Sequence, residues 1–430
     1  MWTAYLYQVT TGNIGPQLNY QKSTWSMSLN ETESMKFELR KSDLPAVDLK
    51  YWLAPWWAGV VLMWDNIPVI AGPIIGRPYE SYEAVYIDCG GMRSVLAKRF
   101  VTKEVATWQE LPKSSITFRD MSLGTIAKRA VQHVETKPGG QLPIEYPIPD
   151  ENVSTFSVLK NTLPPCTFED GSGQTSCYWN AKTRGNKVGE SFIKYNDVFL
   201  YEADHERTYK GHNLQNINCD AVLTKLSNVK DGPDIMFKPR KRDDSQLVFD
   251  MLYGSEYDPR IPSINETVWD ITPDQTNVVN MQVIMTGAHQ TSRVYATGAG
   301  TDFAKIMRFA TNMDAVGKGF PFLETYLSAG DNTNPSVVKA HAEANLKRNL
   351  NMLQEIQFTV RADGPSPVTS FYPGDIVILH VKGLLGIPDG AHEAILLNMN
   401  GDDSTNVRVS LQTLKQFLIQ EVPEEENDLL

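Results

Sequence analysis

The chain has no uninterrupted apolar run of the roughly 18–20 residues that a membrane-spanning helix needs. Its most apolar stretch, YWLAPWWAGVVLMWDNIPVIAGPI from Tyr51 to Ile74, is interrupted by Pro55 and broken by Asp65-Asn66. A spanning helix is excluded there, and the chain reads as soluble. The opening MWTAYLYQVT has no basic region leading into a long apolar one, so no secretory signal is expected. Cations are in deficit: 40 Lys and Arg stand against 51 Asp and Glu, a net charge of −11. That argues against a nucleic-acid binder that neutralises phosphates with a basic surface. It does not argue against a protein that lets DNA slide past. Cysteine is sparse, with Cys89, Cys166, Cys177 and Cys219 forming no C-x-x-C pair, so a zinc site or a thiol redox motif has no support. Cys166 and Cys177 fall in a loop-like stretch, PPCTFEDGSGQTSCYW, and read as two free thiols, with a local disulfide as the alternative.

Catalytic signatures are also missing. There is no G-x-S-x-G elbow and no H-E-x-x-H helix. Asp204, His205 and His212 are the best metal candidates, but they lack the i,i+4 spacing that puts two ligands on one helix face, and they read as solvated loop residues. TGAGTD, around Gly298 and Gly300, reads as a strand ending in a turn and not as a dinucleotide loop. Asp402-Asp403 reads as turn chemistry and not as a calcium loop. No catalytic, cofactor-binding or metal residue is expected.

What is present is β patterning. In SMKFELRKSD, Met35, Phe37 and Leu39 alternate with Lys36, Glu38 and Arg40, as in a half-buried strand. AGVVLMW reads as a strand buried on both faces, Asp65-Asn66 as a tight turn, and IPVIAGPI as the return strand, with Gly72 and Pro73 setting that return. EAVYIDCGG adds a strand. Met35, Phe37, Leu39, Val60, Leu62 and Trp64 are the expected first core. Residues 1–105 are therefore expected to form a β-barrel-like domain.

Residues 106–265 read as an α+β middle region. It contains a helix capped by Ser122, a Pro/Gly-rich loop, a helix capped by Asn218 and a hairpin, PDIMFKPRKRDDSQLVFDMLYG. Residues 266–415 return to β, with a helix at 335–350 capped by Asn334, a turn at Pro373-Gly374-Asp375, and a hairpin around Asn400-Gly401. Residues 416–430 form an acidic tail. The expected fold is mainly β with α+β insertions: two antiparallel β-barrel-like domains bracketing a mixed middle region.

The tryptophans have three readings. Buried aromatics filling a barrel are the ordinary one. If Trp56 and Trp57 are exposed, a subunit interface that includes Trp52 is preferred, because bulky aromatics are enriched in interface cores. Stacking on sugars is the third. The run Lys238, Arg240, Lys241 and Arg242 reads as a solvated turn, with an acidic neighbour as the alternative.

The order of segments resembles the tail hub family of long-tailed phages of actinobacteria, also called minor tail proteins or tail-associated baseplate hubs. The resemblance is carried in order by MKFELRKSD, PVIAGPIIG, PDIMFKPR…LVFDMLYG, VVNMQVIMTGA, KGFPFLETYLSAGDNTNPSVVKAHAEANL and FYPGDIVILHV. The segment 140–215 fits no part of it. The resemblance implies a non-enzymatic, cofactor-free homotrimer at the virion tail tip, made in the host cytoplasm. It would lie below a ring of distal tail protein and contact the tape measure protein and the tip or receptor-binding proteins. Two similar β-barrels per chain would give a pseudo-sixfold ring through which DNA passes without specific binding. If part of the trimer's charge, roughly three times −11, lined a lumen, it would repel DNA. A tail-borne cell-wall hydrolase and a carbohydrate-binding adhesin are the competing expectations.

Overall fold

A computed structural model describes residues 1–44, 49–151, 157–159, 191–195, 198–202, 207–229, 232–262, 267–272, 278–317, 319, 321–330, 333, 335–350 and 353–414. Cys166, Cys177, Asp204, His205, Asn334 and the tail 416–430 lie outside the described residues.

The first third is a run of strands: β1 (Trp2–Gln8), β2 (Ile14–Leu18), β3 (Lys22–Ser28), β4 (Ser34–Arg40), β5 (Ala58–Trp64), β6 (Ile67–Glu80) and β7 (Ala84–Gly90). Short helices α1 (Leu49–Trp52) and α2 (Met92–Leu96) interrupt and follow it. Each strand follows its side-chain pattern. In β4, Met35, Phe37 and Leu39 are buried and Lys36 is exposed. In β5 every residue is buried: Val60, Leu62 and Trp64 enter one core, and Val61 and Met63 another. The link to β6 is the two-residue Asp65-Asn66 turn, with φ of 47° and 68°. Two consecutive left-handed residues make the primed turn whose twist matches a hairpin, and Asp and Asn tolerate that region best after glycine.

The middle contains β8 (Ser115–Phe118), α3 (Leu123–Glu135), β9 (Ile144–Glu145), β10 (Ser157–Leu159), β11 (Ser191–Tyr195), β12 (Val198–Glu202), β13 (Arg207–Lys210), α4 (Cys219–Ser227), β14 (Ile235–Asp243) and β15 (Gln246–Tyr253). Ser122 Oγ accepts from the Thr125 amide at 3.1 Å, and Asn218 Oδ1 accepts from the Ala221 amide at 2.8 Å. Each cap satisfies an orphan N–H and contributes about 1 kcal/mol. The apolar faces of α3 and α4 pack with Phe237, Phe249 and Met251 of the β14–β15 hairpin into the second core. The odd residues of β5 reach the same core.

The last third contains β16 (Thr267–Asp270), β17 (Val279–Thr286), β18 (Arg293–Thr297), β19 (Met307–Thr311), α5 (Asp314–Gly317), β20 (Glu324–Ser328), α6 (Pro335–Asn349), β21 (Leu353–Arg361), β22 (Ile376–Val381), β23 (Gly390–Asp402) and β24 (Asn406–Thr413). Between β17 and β21 the chain leaves the main sheet. It builds a three-stranded sheet in the order β19-β18-β20, and one face of that sheet is covered by α6.

Apart from β18–β20, the strands of the first and last thirds form one 13-stranded sheet, not two separate ones. The joint is β3 against β23, antiparallel, with Ser28, Met27, Ser26 and Trp25 opposite Asn398, Met399, Asn400 and Gly401. A single core runs beneath it, from Met27, Phe37 and Val60 to Trp269, Phe358 and Leu411. Trp269 sits edge-on to Phe358 and Phe371, with centroids 5.3 and 5.0 Å away.

The joint also corrects one expectation. Asn400-Gly401 is not a turn: both residues lie within β23, and the hairpin turns after Asp402. Gly401 is needed there because a Cβ would stand 2.7 Å from the Trp25 ring. Its small size serves a cross-strand approach and not a reversal of the chain.

A core that spans both thirds should melt as one unit. Met399→Ala, which empties a site at the joint, is expected to lower stability by about 2–5 kcal/mol. Hydrogen exchange should then show protection falling together in β4 and in β22. Loss of protection confined to one third would contradict the shared core.

Candidate interaction surfaces

The tryptophan cluster divides. Trp52 is half-buried, packs on the main core and lies over Gly15, where a Cβ would stand 2.2 Å from its ring. Trp57 stands edge-on to Trp52 at 5.3 Å, with Tyr51 at 5.9 Å on its other side. Tyr51, Trp56 and Trp57 are exposed. The segment carrying them is held by its backbone: Trp56 N–H donates to Ile74 O at 2.8 Å, and Val9 N–H donates to Trp57 O at 3.0 Å. Trp56 has φ of +68°. For a bulky residue that region costs about 1–2 kcal/mol, so the fold holds an exposed indole in a strained backbone. Beside it is a shallow cleft of about 370 Å³ whose lining includes Val9, Val95, Leu142 and the basic residues Lys98 and Arg99.

The turn residues are placed as follows. Pro373 and Gly374 are the centre of a β-turn in which Asp375 N–H donates to Tyr372 O at 3.0 Å, with Gly374 at φ +99°. Proline first and a positive-φ glycine second is the type II requirement. The Asp375 carboxylate closes the turn by accepting from Tyr372 N–H at 2.7 Å. Burial raises the Asp375 carboxyl above the usual range, and nearby Lys238 opposes that shift. Gly72 and Pro73, by contrast, lie inside β6. They mark where β6 leaves β5 as its partner, at Pro73, and takes up β7, from Ile74. A Cβ on Gly72 would stand 1.6 Å from Gly90 O, so this corner admits only glycine.

The basic run is consumed within the chain. Arg240 pairs with Asp250 at 2.8 Å and with Glu145, Arg242 pairs with Glu145, and Lys238 stands 5.4 Å over the Tyr372 ring. Hydrogen bonding from Arg242 and Arg240 holds the Glu145 carboxyl below its ordinary range. Cys89 and Cys219 are free thiols, buried, with burial pushing both up and away from reactivity. Among the described residues no group of three or more His, Cys, Asp or Glu is placed to hold a metal. Among them, too, no helix is long and apolar enough to cross a membrane.

One site was not legible in the sequence. Glu33 lies in the polar stretch NETES, which carries no pattern that singles it out. It is 3% exposed, and neither carboxylate oxygen accepts a hydrogen bond from another of the described residues. Gly91 makes this possible, since a Cβ there would stand 1.7 Å from Glu33 Oε2, and Gly91 N–H donates to Glu33 O at 2.8 Å. The adjacent Arg93 is 1% exposed and is taken by Asp220 at 2.6 Å, Thr224 at 2.8 Å and Asn30 O. Asn30, at φ +63°, in turn bridges Asp234 and the Ile235 amide, both at 2.7 Å. The β3–β4 turn, α2, α4 and β14 are thereby tied at one buried polar node.

No protein-family model and no curated protein sequence matches this chain. Its course is similar to that of several solved structures. A tail protein from Neisseria meningitidis MC58 shares 11% identity over 97% of this chain and 98% of that one, with a TM-score of 0.48. The 43 kDa tail protein of prophage MuSo2 from Shewanella oneidensis shares 11% over 96% and 98%, with a TM-score of 0.46. The prophage tail protein gp18 from Listeria monocytogenes EGD-e shares 10% over 97% and 96%, with a TM-score of 0.43. These similar chains are tail proteins. At such identities and TM-scores the likeness assigns no function to this chain.

The Glu33 node generates a pH test. Burial pushes the Glu33 carboxyl from 4.5 up to about 7, against the pull of Arg93. A folded pKa above the unfolded one stabilises fully below the unfolded value, and that contribution is lost as pH rises through the folded value. Stability should therefore fall by about 3 kcal/mol between pH 4.5 and 7 from this group. Glu33→Gln should flatten that part of a denaturant-midpoint against pH curve, and an unchanged slope would show that Glu33 ionises freely.

Proposed function

We propose that this chain is a structural, non-enzymatic phage tail-tip hub that assembles as a homotrimer. The observation that carries the reading is the agreement between the family-like segments and the elements they form. MKFELR makes β4 and PVIAGPIIG makes β6. The PDIMFKPR…LVFDMLYG pair makes the β14–β15 hairpin, NMQVIMT falls in β17, PSVVKAHAEANL falls in α6, and YPGD makes the turn before β22. Three of these segments give strands β4, β6 and β17 of the 13-stranded sheet, YPGD leads into a fourth, β22, the β14–β15 pair forms a hairpin of its own sheet, and α6 is the helix of the inserted unit.

In this reading the first and last thirds are two barrel-like lobes of one chain, fused through β3 and β23. Three chains would then present six lobes to a sixfold tube above and a threefold tip below. The exposed Trp56-Trp57 pair is a subunit contact, and Trp52 supports it from below. Distal tail, tape measure and receptor-binding proteins are the expected neighbours, and DNA passes through the ring without being gripped. The protein belongs at the virion tail tip after synthesis in the host cytoplasm.

Native mass measurement of the purified chain tests the reading. Three copies of the 48.2 kDa subunit are expected, and a strict monomer at assembly concentrations would count against it. Trp56→Gly separates folding from assembly. Relief of left-handed strain offsets the lost ring contacts, so the isolated variant should keep its stability to within about 1 kcal/mol while losing trimer. A variant that loses several kcal/mol and still assembles would make Trp56 a packing residue only.

A further inference from the structure

Among the described residues, α6 covers one face of the sheet β19-β18-β20. Val294, Ala296 and Ala310 meet Val338, Ala342 and Leu346 on the covered side. The opposite side carries a row of three rings across adjacent strands, because Tyr295 is in register with Phe309 on β19 and with Tyr326 on β20. Phe309 is 58% and Tyr326 62% exposed, and Met307 extends the row at 52%. Phe322, also exposed, closes one end, where the Arg293 guanidinium lies 4.8 Å over its ring.

This face is organised in advance of any contact. Arg293 also lies within 6 Å of the Tyr295 and Phe309 rings, donates to Thr311 Oγ1 at 3.0 Å, and pairs with Glu324 at 3.5 Å. Tyr295 donates to Glu324 Oε1 at 3.0 Å, and the Tyr326 and Thr297 hydroxyls share a hydrogen bond at 2.9 Å. With its polar groups satisfied internally, the row has little rotamer freedom left to lose on binding. Aromatic, Met and Arg side chains are the types enriched in protein interfaces. A nucleic-acid surface would want the arginine free for phosphate, and here it is committed to Glu324.

We infer that this aromatic face is the partner surface for the Tyr51–Trp56–Trp57 cluster of a second copy of the same chain. The inference rests on the trimer reading above and goes beyond it by naming the two halves of the contact. A closed ring needs a heterologous interface, meaning two different patches on each subunit that fit one another. Two of the chain's exposed aromatic groups lie on different elements, one on the inserted sheet and one on α1 and the turn that follows it. Their chemistry is complementary: Lys98 is exposed beside Trp56, and Glu324, which meets Arg293 and Tyr295 through Oε1 and keeps a side chain 46% exposed, can take a second cation. The area also fits. Met307, Phe309, Phe322 and Tyr326 expose roughly 400 Å² of mostly apolar surface, against roughly 450 Å² of apolar area per partner in a standard interface.

The test uses two single variants of the full chain, Tyr326→Glu and Trp57→Glu, each breaking one patch at an exposed position. Native mass spectrometry should find the parent trimeric and each variant alone monomeric, with association weakened roughly 30-fold or more. Mixed one to one, they should form a dimer, because the intact row of one variant meets the intact tryptophans of the other. Variants that remain trimeric, or a mixture that remains monomeric, overturn the inference while leaving the trimer reading intact. A monomeric parent overturns both. Where a glutamate disturbs folding, Tyr326→Cys and Trp57→Cys chains replace them. Oxidation of their mixture should give a disulfide-linked heterodimer absent from either chain alone, and no excess of that species overturns the inference.

Discussion

Five residues of β3 meet five of β23 across some 370 positions of sequence, and most of the molecule's order depends on that pairing. Without it, the first and last thirds would be open sheets with bare edges, each exposing a row of unpaired backbone groups and half a core. With it, one sheet passes through both thirds and one core lies under it. The pairing is possible because Gly401 lets the Trp25 ring lie against the opposite strand. The middle region is then fixed by a second device. The β3–β4 turn, through Asn30, and α2, through Arg93, grip β14 and α4 with buried hydrogen bonds. The first device is a backbone ladder over an apolar core, and the second is a buried polar network, which is costly when half-satisfied.

That arrangement leaves the proposed contact surfaces outside the core. The Trp56 segment and the aromatic sheet face both lie on material added to the central sheet, one on a short turn and one on an inserted unit. The inserted unit has a small core of its own, the turn segment sends only Leu53 and Trp52 into the main core, and both expose rings that a monomer gains nothing by exposing. In the hub reading, the central sheet is the rigid body and these additions are what it presents to its neighbours.

Much of this was legible in the sequence, because short-range rules governed it. Alternation named Met35, Phe37 and Leu39, the unbroken apolar run named a strand buried on both faces, and Ser122 and Asn218 announced their helices. Pro373-Gly374 fits its turn because proline and a positive-φ glycine have few other uses in that order. The failures share a cause. Asn400-Gly401 and Gly72-Pro73 are good turn dipeptides locally, yet tertiary contacts put both in strands, where glycine serves close approach to Trp25 and to Gly90. Glu33 could not be found at all, because its burial depends on Gly91 and on helices distant in sequence. The pairing of β3 with β23 carried no signal either, since strand partners at that separation are set by the whole sheet. The row of Phe309, Tyr295 and Tyr326 likewise exists only once three strands are in register.

Single-particle electron microscopy of the purified full chain addresses the central claim most directly. The account predicts a threefold particle with a central opening, ringed by six lobes of similar size, two from each chain. A particle the size of one subunit, or an oligomer with no threefold axis, would contradict it.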